Sequence, residues 1–164
     1  MKLLRFQNKR FHFFCYSLSV IIIIIDQYTK YLTSLKTEEL YFGIQVFPFL
    51  NLVYVVNTGI SFGIFSDFNI SFYLGILSFV ISIFIFFWIW KSSSRIDIIS
   101  LSFILGGAIG NGIDRIRNSY VIDFIDFHLA DIHWPAFNFA DTFITLGALI
   151  YIVTSFKSKT KIKS

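Results

Sequence analysis

Long apolar blocks separated by short polar clusters dominate this chain, and four of the blocks are long enough to cross a bilayer, which takes about 20 apolar residues per helix. The clearest covers residues 68–90, 23 positions without a charge, and ends in Trp88 and Trp90, a pair suited to the membrane interface. An earlier block begins at Phe11, runs through the isoleucines to Ile25 and continues past Asp26 to Leu32. Lys2, Arg5, Lys9 and Arg10 precede it as in a secretory signal, but no small-x-small cleavage site follows, so residues 11–32 are expected to remain as the first span. The third span is expected over 96–113, with one early charge at Asp97, and the fourth over 136–156, with Asn138 and Asp141 near its start. Residues 43–65 are also apolar, yet rich in β-formers and broken by Pro48 and Asn51. They read as short strands on the membrane surface, because open sheet edges cannot lie in hydrocarbon. The expected fold is an all-α polytopic membrane protein: four transmembrane helices, a small extracytoplasmic β-rich segment between helices one and two, and a single membrane-embedded domain over 1–164.

Composition agrees. Of 164 residues, 55% are hydrophobic and 15% charged, against about 25% charged in soluble domains, and mean hydropathy is +0.70. Twenty-two Phe and long Ile runs exclude disorder, since such a chain cannot stay solvated. One cysteine, Cys15, excludes an internal disulfide framework and a Cys-based metal cage. It also precedes the Ile run and follows bulky Phe13 and Phe14, so it is not a lipid-attachment site. His12, His128 and His133 lack the spacing that puts two ligands on one helix face, and no metal or cofactor is expected. The net charge of +4 does not point to nucleic acid, because the basic residues sit at the ends of apolar runs, where they meet lipid head groups. With four spans, both termini and the loop 91–95 share one side; ten of the fourteen basic residues fall there, and nine of the ten acidic residues fall opposite. The positive-inside rule then places both termini in the cytoplasm and turns the acid-rich face outward.

Ionisable groups within or beside spans are functional candidates, because each is costly to bury. Here they gather at the outer ends: Asp26 and Lys30 on span one, Asn57 before span two, Asn111, Asp114 and Arg115 closing span three, and Asn138 and Asp141 opening span four. Gly106 and Gly110 form a GxxxG pair suited to close helix packing rather than a phosphate loop, since no Lys-Ser/Thr follows. Asn111 and Arg115 then share a helix face, with Asp114 nearby. Five aspartates, Asp114, Asp123, Asp126, Asp131 and Asp141, follow in the outer segments. Two carboxylates held close share one proton and can act as acid and base toward a peptide bond. The residue pattern alone leaves open which two, and each aspartate has the alternative of capping a helix or pairing with Arg115 or Arg117.

Five blocks stand in an order that resembles lipoprotein signal peptidase, or signal peptidase II. They are Asp26-Gln27-x-Thr29-Lys30; Asn57-x-Gly59-x-x-Phe62; Gly106-Gly107-x-x-Gly110-Asn111-x-x-Asp114-Arg115; Val121-Ile122-Asp123-Phe124; and Phe137-Asn138-x-Ala140-Asp141. The resemblance spans about Asp26 to Gly147. It implies a bacterial inner-membrane aspartyl endopeptidase that removes the signal peptide from diacylglyceryl-modified prolipoproteins, cutting before the lipidated cysteine, with its site at the outer face. It places the catalytic dyad on Asp123 and Asp141. Asn57, Asn111, Arg115 and Asn138 match polar residues that line the substrate site, Asp26 and Asp114 match supporting ones, and Lys30, Gly59 and Ala140 match positions that bind substrate or support the site. Membrane lipid, competition by the cyclic peptide globomycin and action as a monomer are implied partners and state. Ile60-Ser61 and Thr142 depart from the common family pattern without touching the dyad.

Helix position fits this assignment: Asp141, three residues after Asn138, falls on a first turn where the helix N-terminus favours negative charge. Asp123 is expected on the preceding loop, Asp114 beside a neutralising Arg115, and Asp126 and Asp131 on a solvated loop. A small proton- or ion-coupled transporter is the main competing reading, but it calls for acids near the midplane and repeat symmetry. A non-enzymatic assembly factor using the glycine face is the other, and it would tolerate Asp123→Asn.

Overall fold

The computed structural model describes residues 2–59 and 70–161, with side chains over 9–59 and 70–156. Five helices and four strands follow in the order α1 (Lys2–Ser34), α2 (Thr37–Tyr41), β1 (Ile44–Phe47), β2 (Leu50–Asn57), α3 (Ser71–Lys91), α4 (Arg95–Asn118), β3 (Val121–Leu129), β4 (Ile132–His133) and α5 (Phe139–Lys161). Helices α1, α3, α4 and α5 are long and apolar enough to cross a membrane. They coincide with the four expected spans. Positions 68–69 of the second span and 60–65 of the β-rich segment, including Ile60, Ser61 and Phe62, lie outside the described residues.

Helix α4 is the centre of the bundle and packs on α1, α3 and α5. Its apolar window is 56% buried, against 28, 22 and 11% for α1, α3 and α5. Those three expose Phe, Ile and Leu widely, as lipid-facing helices do. The apolar core, built on Cys15, Ile85, Ile89, Ile98, Leu101 and Leu105, lies toward one end. There His12 Nε2 meets Ser92 O at 3.0 Å, so the start of α1 and the α3–α4 turn share that end. Small residues let α4 approach its partners. A Cβ on Gly106 would meet Ile22 at 2.8 Å, and one on Gly110 would stand 2.6 Å from Asp26 Oδ2. Helix α4 starts on Ser94, whose hydroxyl accepts from Asp97 N, and ends at Ser119 in the left-handed conformation (φ 62°). It thus runs five residues past the expected limit of 113, and those residues carry Asp114 and Arg115.

The strands form one antiparallel sheet in the order β1-β2-β3-β4. Strands β1 and β2 fall where short strands were expected. Strands β3 and β4 correct the expectation of a loop between the third and fourth spans, so Asp123 and Asp126 sit on an inner strand, not on a loop. The first four residues of β3 are all buried, hence both faces are covered and the sequence reads as a run rather than an alternation. Phe137 joins the sheet by bonds to Ile125 before the chain turns into α5.

Candidate active site

Asp141 stands in the first turn of α5, inside a reciprocal cap. Asn138 Oδ1 accepts from Asp141 N at 2.9 Å, and Asp141 Oδ2 accepts from Asn138 N at 3.3 Å. This is the capping-box arrangement, in which two orphan N–H groups of the helix start are satisfied at once. The other oxygen of Asp141, Oδ1, accepts from Asn111 Nδ2 at 2.8 Å. One helix start therefore aims a carboxylate at the end of α4.

Asp123, on β3, is 2% exposed and is gripped by two amides. Asn138 Nδ2 donates to its Oδ1 at 2.6 Å, and Asn57 Nδ2, from paired strand β2, donates to its Oδ2 at 2.9 Å. Asn138 thus touches both aspartates. Burial, with the adjacent Asp141 carboxylate as the second cause, pushes the Asp123 carboxyl up to about 7; the two amide bonds and the charge of Lys30 pull the other way. A carboxyl in that range holds a proton near neutrality and can give it up.

Behind this pair lies a second cluster with the opposite character. Lys30 is 2% exposed; its ammonium donates to Asp26 Oδ2 and to Asn111 Oδ1, each at 2.8 Å, and forms an ion pair with Asp114 Oδ2 at 2.6 Å. The cation held by Asp114 is therefore Lys30, which corrects the expectation that it pairs with adjacent Arg115. Consecutive residues diverge around a helix, whereas α1 presents Lys30 to α4 directly. Gln27 Nε2 adds a bond to Asp114 Oδ1 at 2.9 Å. Asp26 Oδ1 accepts from Ala140 N at 2.9 Å, so a carboxylate on α1 satisfies an orphan donor at the start of α5. Ala140 contributes here its backbone N–H and a small, fully buried side chain.

A cavity of about 420 Å³ opens over the pair, walled by Asn57, Asn111, Arg115, Asp123, Asp141 and Thr142 and by residues 134–137. Arg115 Nη2 donates to Gly59 O at 3.1 Å, while Gly59 N donates to Asn57 Oδ1 at 3.1 Å. The end of β2 is so tied to α4 across the cavity mouth. Among the described residues, no lysine or arginine forms an ion pair with Asp123 or Asp141, and no three His, Cys, Asp or Glu side chains gather to hold a metal. The described candidates for catalysis, substrate binding or support come together here, in the cavity wall or in the layer behind it, whereas Asp126 and Asp131 do not.

Asp126 was missed. It is 7% exposed rather than solvated, accepting from Asn51 Nδ2 at 3.0 Å and meeting His133 Nδ1 at 2.9 Å. Asp131, in contrast, lies exposed beside the β3–β4 turn.

Fold and site define a class: a multi-pass membrane protein with two aspartates converging on a cavity at one end of its helix bundle. Two solved bacterial membrane enzymes share the fold. One has a TM-score of 0.79 at 29% identity over 90% of each chain, the other a TM-score of 0.73 at 31% identity over 87% of this chain and 92% of its own. The family model for signal peptidase (SPase) II matches residues 18–157. Relatives named lipoprotein signal peptidase include those of Alteromonas mediterranea, 40% identical over 88% of this chain and 81% of theirs, and Thermodesulfovibrio yellowstonii, 43% identical over 84 and 90%. That of Coxiella burnetii is 44% identical over 83 and 85%. The chain belongs to the signal peptidase II family and is a membrane protease of that family.

Proposed function

We propose that this protease is an aspartyl endopeptidase that removes the signal peptide from diacylglyceryl-modified prolipoproteins, cutting before the lipidated cysteine, with Asp123 and Asp141 as its catalytic pair. The observation that carries the reading is the cavity in which both carboxyls are held by amides and neither by a cation, with Asp123 raised to about 7. Asp141 takes a proton from water as the water oxygen attacks the scissile carbonyl carbon, and Asp123 gives its proton to the carbonyl oxygen. The tetrahedral intermediate then collapses. The C–N bond breaks, the proton on Asp141 passes to the leaving nitrogen of the lipidated cysteine, and the proton borrowed from Asp123 returns to it. Asn57, Asn111 and Asn138 orient the carboxyls, Arg115 and Gly59 shape the mouth, and Asp26, Lys30 and Asp114 hold the helices that carry them.

The charge distribution supports an inner-membrane location with both termini in the cytoplasm and the cavity at the outer face. There, acyl chains of the substrate can lie among the exposed Phe and Ile of the spans, at about 0.8 kcal/mol per buried CH₂. Action as a monomer is part of the same proposal. Globomycin is expected to compete at this cavity. The test is incubation of purified protein with a lipidated precursor beside an unlipidated control. Loss of the signal peptide from the lipidated form alone supports the reading, and equal cleavage of both contradicts it.

A further inference from the structure

Strand β3 carries a second aspartate in a setting that parallels the first. Asp126 accepts from Asn51 Nδ2 of β2 at 3.0 Å, as Asp123 accepts from Asn57, and its other contact lies across β3 in β4, where His133 Nδ1 is 2.9 Å from both carboxylate oxygens. Asp126 therefore ties three strands together. His133 is also stacked on His128, its cross-strand partner, with ring centroids 5.0 Å apart. The chain then runs straight from His133 into residues 134–137, which wall the cavity.

Two clamps hold that wall. The far one is at Phe137, whose N donates to Ile125 O at 3.0 Å while its O accepts from Phe124 N and Ile125 N at 3.0 and 2.9 Å. It keeps Asn138, and hence the aspartate pair, in place. The near clamp is Trp134 N donating to Phe127 O at 2.7 Å, reinforced by the His133–Asp126 contact. Residues 134–136 span the gap between them, and Trp134 is 60% exposed beside the cavity.

We propose that Asp126 and His133 are positioning residues for substrate: they fix the wall 134–136 against which the peptide beside the scissile bond lies, without acting on the aspartate pair. This deepens the function proposed above and rests on it. Because the far clamp isolates the pair from the near one, loosening the near clamp alters substrate capture and leaves the chemical step alone. The His133 side chain is about half exposed, so its truncation opens no buried void.

The test is steady-state cleavage of a lipidated precursor by Asp126→Ala, His133→Ala and the double variant, with KM and kcat measured separately and folding checked by thermal unfolding. KM is expected to rise about five- to tenfold in each single variant with kcat within about twofold of the parent, and the double variant to add little, as for residues acting as one unit. Asp126→Asn, which keeps an acceptor for Asn51, should recover much of the loss. An unchanged KM in folded His133→Ala overturns the proposal, as does a fall in kcat at constant KM. Asp123→Asn in the same assay separates the two readings. If it still cleaves, the catalytic assignment fails; if it is inert while His133→Ala keeps the parental KM, only the positioning role fails.

Discussion

Two pairs of aspartates lie close together in this bundle, joined through the single side chain of Asn111, and they are built for opposite ends. Asp26 and Asp114 close on the buried ammonium of Lys30. Asp123 and Asp141 close on asparagine amides and face a cavity. The lysine ties Asp26 and Asp114 into an ion-paired joint between α1 and α4, whereas the asparagine amides orient Asp123 and Asp141 toward the cavity. In the function proposed above, the lysine marks the scaffold pair and its absence the catalytic one. Asn111 serves both: it accepts from Lys30 at 2.8 Å, which leaves its amide nitrogen to donate to Asp141.

The largest expected effect follows from removing the proton carriers. Asp123→Asn and Asp141→Asn should each cut the cleavage rate by about 10³-fold or more while binding lipidated precursor, and the double variant should be little worse. The pH profile sharpens the same point. Asp123 must keep its proton to act as the acid, so the rate should fall as pH climbs through about 7. Stability should drift the same way: the folded carboxyl holds its proton above the ordinary 3.8, so the fold binds more protons than the unfolded chain between about 4 and 7 and loses stability as pH rises across that window.

Next in size is the other pair. Lys30→Met leaves two buried carboxylates without their cation and should cost about 3–5 kcal/mol, read as a large drop in melting temperature. If it melts like the parent but stops cleaving, the lysine belongs to the chemistry and the contrast fails. Gly110→Ala, whose methyl would stand 2.6 Å from Asp26 Oδ2, should cost about 1–3 kcal/mol by forcing α1 and α4 apart. Asp131→Asn, on the exposed turn, should leave both rate and melting within error.

The spans were legible because lipid demands what a sequence shows directly: uninterrupted apolar length with charges at the ends. Ordered blocks of polar residues pointed to positions that line the cavity or stand behind it, and the helix-start position of Asp141 could be read from its distance to Asn138 alone. Three things could not be read. Strand β3 hides because a strand buried on both faces has no alternation to betray it. The partner of Asp114 lies 84 positions away on α1, across a helix contact that spacing does not encode, while Arg115 is adjacent in sequence but points elsewhere. Asp126 looked solvated because its Asn51 and His133 partners converge only once the sheet is formed.

The most direct test is single-turnover cleavage of a lipidated prolipoprotein by Asp123→Asn beside Asp114→Asn, each shown to be folded and to bind substrate. We expect Asp123→Asn to be inert and the folded fraction of Asp114→Asn to cleave within about tenfold of the parent, its loss appearing in stability. Near-parental cleavage by Asp123→Asn with a folded, binding and inert Asp114→Asn would contradict the division between the two pairs and move the catalytic partner of Asp141 to Asp114.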